Sequence, residues 1–312
     1  MTSKRQDSRE ASTEGPSDQT GCRPLAGPDA TAFGPGLFGD TSPASARRYF
    51  ALIRELAPMR RLEVVARLSR MVRSSAMLGA RERNPELADD ELRLVVAELM
   101  YGRLEERFRL QQAPRTPMPN ENYLNPYSIA LLVGDALEAL GIPYFVGGSL
   151  ASGLQGEPRA TNDIDMVLEL PESQIPALAR QLGPDFSVDE EGLKAAVRAR
   201  RSDNLYFLPL LTKVDIFVRG PSPFDLSEMA RRSRHEVEPG RFLWVKSVED
   251  TVLRKLLWFR QGGEASERQW RDITSVLRVA GDSLDSAYLD EWAPQIGIED
   301  LLARARAEVA SI

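Results

Sequence analysis

Apolar positions recur at three- and four-residue spacing from Ala44 onward: Leu52, Ile53, Leu56 and Met59, then Leu62, Val65, Leu68 and Val72 beyond Pro58. That spacing lines one face of an α-helix, and the proline divides the run in two. Leu92, Val95, Val96 and Leu99 mark a further helix, with Asp89 as its N-cap and Gly102 as its stop. These patterns predict an all-helical unit at 44–110. Asn125-Pro126 then pairs a capping residue with a proline suited to the first helical position, which predicts a helix over 127–140 ended by Gly141.

Beyond Gly141 the period changes. A short apolar strand at 143–146 runs straight into Gly147-Gly148-Ser149, and a short helix at 150–154 follows. A strand is expected at 164–170, helices at 172–182 and 189–200, an antiparallel strand pair at 205–208 and 212–218, and a strand at 241–245. From Ser247 the chain reads as helical throughout. The order predicts an α+β fold: a small mixed β-sheet core flanked by helices at 125–246, a C-terminal helical cap at 247–312, and the separate N-terminal helical unit. Residues 1–43 are rich in Ser, Thr, Gly, Pro and Asp without periodicity and read as a disordered tail, and the proline-bearing stretch 111–124 reads as a linker.

Composition narrows the chemistry. With 312 residues, 42% hydrophobic and 28% charged, the chain fits a globular protein of two units and a tail. No apolar run is long enough for a bilayer and the polar N-terminus is no secretory signal, so no membrane role is expected and the cytoplasm is the default compartment. One cysteine, Cys22, and one histidine, His235, leave no internal disulfide and no Cys/His metal site, and remove Cys-His and most Ser-His mechanisms. The net charge of −6 argues against a nucleic-acid coat, yet residues 46–83 carry ten Arg and three Glu. This basic stretch fits a solvated face or a surface docked on an acidic module better than an RNA-binding arm.

Three features carry candidate chemistry. Gly147-Gly148-Ser149 links a strand to a helix, where glycines admit a phosphate close to the backbone and helix amides face it; an ordinary strand–helix turn has the same sequence. Asp163-Ile164-Asp165 places two carboxylates on one face of a strand, a repulsion that a cation would relieve, although a capping pair after Thr161-Asn162 is the alternative. Lys213-Val214-Asp215-Ile216 sets an acid in an apolar strand, which a solvated face would also explain. Taken together, a phosphate-cradling turn and three acids on adjacent strands suit hard cations such as Mg²⁺, which take oxygen ligands.

In this arrangement, Val146-Gly147-Gly148-Ser149, thirteen further residues, Asp163-Ile164-Asp165 and the later Val214-Asp215-Ile216 resemble the DNA polymerase beta-type nucleotidyltransferase superfamily. Arg159-Ala160-Thr161-Asn162-Asp163-Ile164-Asp165, with Asp250, Lys255, Arg260 and Arg271-Asp272 downstream, is similar to AbiEii-type toxins and related uncharacterised nucleotidyltransferases. The resemblance covers about residues 125–310 and leaves the helical unit unassigned. It implies transfer of a nucleoside monophosphate from an NTP such as ATP to an acceptor hydroxyl, on a tRNA end, a protein or a small molecule, with an antitoxin as a possible partner. It implies Mg²⁺ or Mn²⁺ held by Asp163, Asp165 and Asp215, with Asp215 activating the acceptor. Gly147, Gly148 and Ser149 would hold phosphates, as would Lys255 and Arg159, the latter otherwise an offset to the carboxylates. A catalytically silent nucleotide- or RNA-binding regulator and an antibiotic-modifying enzyme are the alternatives. Asp272 and Arg260 are expected as a structural ion pair, the four tryptophans as core residues and His235 as exposed.

Overall fold

The computed structural model describes residues 42–102 and 125–311. The linker at 111–124, residues 103–110 of the expected helical unit, Cys22 and all but the last two residues of the tail at 1–43 lie outside the described residues.

Three helices come first. α1 (Pro43–Glu55) is capped by Ser42, whose hydroxyl accepts from the Ser45 amide, and α2 (Pro58–Arg83) opens on proline. α3 (Asp89–Tyr101) begins one residue earlier than its aspartate suggests. Ala88 occupies the cap position and its amide donates to Glu91 Oε2 at 2.9 Å, while Gly102 ends the helix at φ +81°.

The remainder builds a seven-stranded mixed sheet covered by helices. α4 (Pro126–Ala139) is capped by Asn125 as its sequence predicts. β1 (Tyr144–Val146), α5 (Gly148–Gln155), β2 (Ile164–Leu168), α6 (Ile175–Leu182), β3 (Phe186–Val188) and α7 (Glu190–Ala199) follow. β4 (Ser202–Phe207) and β5 (Thr212–Val218) form an antiparallel pair; α8 (Pro223–Arg231), β6 (Ser233–Glu238) and β7 (Arg241–Val245) come next. The chain closes with α9 (Val248–Gln261), α10 (Glu267–Ala280), α11 (Ser286–Gln295) and α12 (Glu299–Ala310). Strand order is β3-β4-β5-β2-β1-β7-β6, with β2 parallel to β5, β1 antiparallel to β2 and β1 parallel to β7. This is an α+β fold.

Alternation along the central strands decides where the acids stand. Ile164, Met166 and Leu168 on β2, and Val214 and Ile216 on β5, are fully buried on one face. Asp165 and Asp215 therefore occupy the other face, directly paired in register. The C-terminal helices have their own core of Val252, Leu256, Phe259, Ile273, Val276 and Leu302.

Two expectations change. The N-terminal helices do not form a separate unit: the described residues 42–102 and 125–311 make one compact body, and Leu62 and Val65 of α2 lie in the same hydrophobic core as Tyr127, Ile129, Leu150 and Ile164. One long helix and two short ones cannot bury enough apolar surface alone, so α2 borrows the sheet's core. Their inward faces also differ in detail, since Leu52, Val72 and Leu99 are exposed while Phe50 and Ile53 point inward. β6 and α8 have no counterpart among the expected elements: β6 lies at the sheet edge and buries only Val237, and α8 opens on Pro223 directly after Pro221-Ser222.

All four tryptophans (Trp244, Trp258, Trp270 and Trp292) lie outside α1–α3 and are half-buried. Leu62→Ala should therefore lower the tryptophan-monitored urea unfolding stability by about 2–5 kcal/mol. An independent helical unit would leave that transition in place.

Candidate active site

β1 delivers the chain into Gly147, and Gly148 starts α5 at φ +52°, a left-handed value that favours glycine. Space imposes a second constraint. A Cβ on Gly148 would sit 1.7 Å from Asp165 Oδ2, so the carboxylate lies directly on the turn. A Cβ on Gly147 would come within 3.2 Å of Lys246 Cε. The Gly147 amide donates to the Asp165 carbonyl at 2.9 Å, and the Ser149 amide donates to the Asp165 side chain. The turn thus spends its amides on the acid behind it.

Asp163 immediately precedes β2, two residues from Asp165, and Asp215 pairs with Asp165 across the β2–β5 ladder. Burial first, then the charges of Asp215 and Asp163, push the Asp165 carboxyl up to about 6 against the opposing pull of Lys255. Burial also raises Asp215, against the pull of Lys213, whose Nζ lies 2.8 Å from Asp215 Oδ1. Asp215 and Lys213 do share a strand face, as alternation predicts.

The donor chemistry suits a hard divalent cation: an all-oxygen set of mutually repelling carboxylates, one of them filling the space a side chain at residue 148 would need. As they stand the acids do not close on a common point, for among the described residues no three Asp, Glu, His or Cys side chains gather into a metal cage. Asp215 Oδ1 is engaged by Lys213 Nζ at 2.8 Å.

Around the turn runs a frame of cations anchored on Asp272. Arg159 forks this carboxylate with Nε and Nη2, both at 2.7 Å, and Nη2 also donates to Ser149 Oγ at 2.7 Å. Lys255 Nζ donates to Asp272 Oδ2 at 2.8 Å. Burial would raise Asp272, but Arg159 and Lys255 together hold it below the usual carboxylate range. Burial lowers Lys255. The expected Asp272–Arg260 pair is absent: Arg260, at the end of α9, binds Glu264 and Asp300 instead, while Asp272 faces the second turn of α9. Asp250 acts in the cap of α9 with Ser247 and also accepts from Tyr288 Oη at 2.7 Å. Arg271 binds Glu157. His235 is half-buried on β6 rather than exposed, its hydroxyl neighbour Ser233 at 2.9 Å, and burial lowers its pKa.

Several residues at this site carry no motif. Lys246, the residue after β7, is buried beneath Gly147 between the rings of Phe145 and Trp258, with Glu228 Oε1 at 3.4 Å. Burial lowers its pKa. Lysine scarcity is the available signal: the chain has five, and Lys213, Lys246 and Lys255 all lie at or behind the turn and the acids. From the N-terminal helices, Ser69 Oγ accepts from the Thr161 amide at 3.0 Å and Tyr101 Oη donates to the Asn162 carbonyl at 3.1 Å. Arg73 donates to the Leu210 carbonyl at 2.7 Å and Thr212 Oγ1 at 3.1 Å. These bonds fall on the residues just before Asp163 and at the turn into β5. No local pattern announces them, because each joins segments at least 60 residues apart.

No family model and no curated protein matches the chain. Among solved structures, it is similar to an antigenic nucleotidyltransferase-like protein from Paracoccidioides brasiliensis, at 18% identity over 58% of this chain and 91% of that one, with a TM-score of 0.38. It is also similar to the antibiotic-resistance factor ANT(2'')-Ia, at 12% identity over 59% of this chain and 95% of that one, with a TM-score of 0.32.

The raised Asp165 carboxyl has a thermodynamic consequence. Between its ordinary value and about 6, the folded chain holds a proton that the unfolded chain has released, so this group lowers stability as pH rises through that window and continues to do so above it. In chelator-treated buffer, Asp165→Asn should be more stable than the parent at pH 8, by up to roughly 3 kcal/mol, and near parity at pH 4. Urea unfolding at the two pH values measures the difference; equal stability at pH 8 would show that the carboxyl is not strained.

Proposed function

We propose that this chain is a nucleotidyltransferase that moves a nucleoside monophosphate from an NTP to an acceptor hydroxyl, using Mg²⁺ or Mn²⁺. The observation that carries this reading is the placement of Asp165 against Gly148 at the start of a helix, in register with Asp215 and two residues from Asp163. An enclosed cluster of like charges beside a glycine turn is costly to keep unless something cationic completes it.

Asp163, Asp165 and Asp215 are the residues that would hold the metal. When bound, it supplies positive charge to the triphosphate and acidifies the acceptor hydroxyl. Asp215, beside Asp165 on the neighbouring strand, would take the acceptor proton once freed from Lys213. The Ser149 hydroxyl already accepts from Arg159 and retains its own proton to donate to a phosphate oxygen. Lys255 and Arg159 share Asp272, so an incoming triphosphate would compete for cations already aligned beside the turn. Ser69 and Tyr101 fix the backbone leading into Asp163 and act as positioning residues.

The acceptor is an RNA end, a protein or a small molecule, and the resemblance to AbiEii-type proteins supports a toxin role, with an antitoxin partner, in the cytoplasm. One observation favours the silent alternative: the Lys213–Asp215 ion pair occupies the third carboxylate. The purified protein should transfer label from α-³²P NTPs in Mg²⁺ or Mn²⁺ to total RNA, lysate protein or hydroxyl-bearing small-molecule antibiotics. Asp163→Ala and Asp165→Ala should each cut transfer by more than about 100-fold. Absence of transfer to every acceptor, with NTP binding retained, would support the silent binder. Tyr101→Phe should reduce turnover by about tenfold at unchanged KM for the NTP, since it loosens Asp163 without touching nucleotide. A change confined to KM would remove that positioning role.

A further inference from the structure

The outer side of α2 carries an apolar stripe that packs into none of the hydrophobic clusters among the described residues. Val64, Met71 and Leu78 are 39%, 59% and 66% exposed. Spaced seven apart, they fall on one side of the helix, opposite the inward side carrying Leu62, Val65, Ser69 and Ala80. The stripe is bounded by charge of one dominant sign: α2 contains seven Arg and two Glu. Three arginines of the N-terminal helices, Arg54, Arg61 and Arg73, are spent on backbone carbonyls of the body, and Arg81 pairs with Asp89. Arg60 and Arg67 remain on the outer side with the stripe.

We propose that α2 pairs with α2 of a second copy of this chain in an antiparallel, two-fold symmetric contact centred on Met71. The sequence along the stripe is self-complementary about that residue. Antiparallel pairing sets Met71 on Met71, Val64 on Leu78 of the second copy, and Arg60 on Glu82 of the second copy, each of the last two twice by symmetry. Arg67 meets Ser75, so no like charges oppose along the stripe. A parallel arrangement would place Arg60 on Arg60, Arg67 on Arg67 and Glu82 on Glu82, and charge alone selects the antiparallel one. The present partner of Arg60 is Glu63, an exposed pair on the same helix that can be exchanged at little cost. An extended RNA strand is a poorer occupant, because the centre line of the surface is apolar rather than cationic. A single helix pair makes a small interface, so the dimer is concentration-dependent. The contact does not rest on the proposed reaction, but it falls on the helix whose opposite side holds Thr161 through Ser69.

Light scattering and sedimentation of the full chain at rising concentration test this. The wild type should pass from one chain to two across the micromolar range. Met71→Glu and Arg60→Glu should each hold it at one chain, with circular dichroism unchanged because both positions are exposed. The charge swap Arg60→Glu with Glu82→Arg should restore the wild-type midpoint within about threefold, which only a contact between these two residues in different copies can do. A wild type that stays a single chain at high concentration overturns the proposal. So does a dimer that survives Met71→Glu, or a double swap no better than Arg60→Glu alone.

Discussion

Mutual repulsion among three carboxylates, held where water only partly reaches them, is the constraint around which this molecule is organised. Asp165 lies against a backbone turn that has no room for a side chain, with Asp215 beside it on the parallel strand and Asp163 just before it. Folding tolerates this because the two strand acids receive something in return. Asp165 takes the Ser149 amide and Asp215 takes Lys213. The compensation is incomplete, which is why the Asp165 carboxyl is pushed up to about 6. The turn is shaped by the same crowding: Gly148 leaves the space that the Asp165 carboxylate fills, and Gly147 packs closely on the end of the Lys246 side chain.

The cations are organised by the same logic with the signs reversed. Asp272 holds both Arg159 and Lys255, while Glu228 stands at 3.4 Å from buried Lys246 and also binds Arg254. A buried positive charge without such a partner would be costly, yet one fully neutralised could not attract an anion. Sharing one carboxylate between two cations leaves net positive charge beside Ser149. This sets the C-terminal helices, which supply Lys255 and Asp272, directly beside the glycine turn.

The N-terminal helices are bound into this arrangement from the other side. α2 contributes Leu62 and Val65 to the central core, Ser69 to the backbone before Asp163 and Arg73 to the turn into β5. Two of its seven arginines, Arg61 and Arg73, are therefore structural, as is Arg54 of α1. Guanidinium groups reach across the interface to carbonyls at the ends of elements, where lone pairs would otherwise lack donors. The remaining outward surface of α2 has a separate character, apolar along its centre and charged at its ends.

Local pattern was enough for the α+β class, the glycine turn and the face of each strand on which an acid stands. Each of these depends on periodicity of two or 3.6 residues, or on the conformational freedom of glycine, and such properties belong to short segments. Asp163, Asp165 and Asp215 could be singled out for that reason. Their proximity could not be derived from the alternation alone, since Asp165 and Asp215 meet through a parallel ladder between strands 50 residues apart. The Asp272 anchor, the partners of Arg260, the buried Lys246, the half-buried His235 and the bonds from Ser69, Arg73 and Tyr101 were decided only by tertiary structure. An ion pair or buried hydrogen bond takes its partner from whatever chain folding brings within about 3 Å, and that choice is set by the packing of whole helices on the sheet, not by the residues on either side of it.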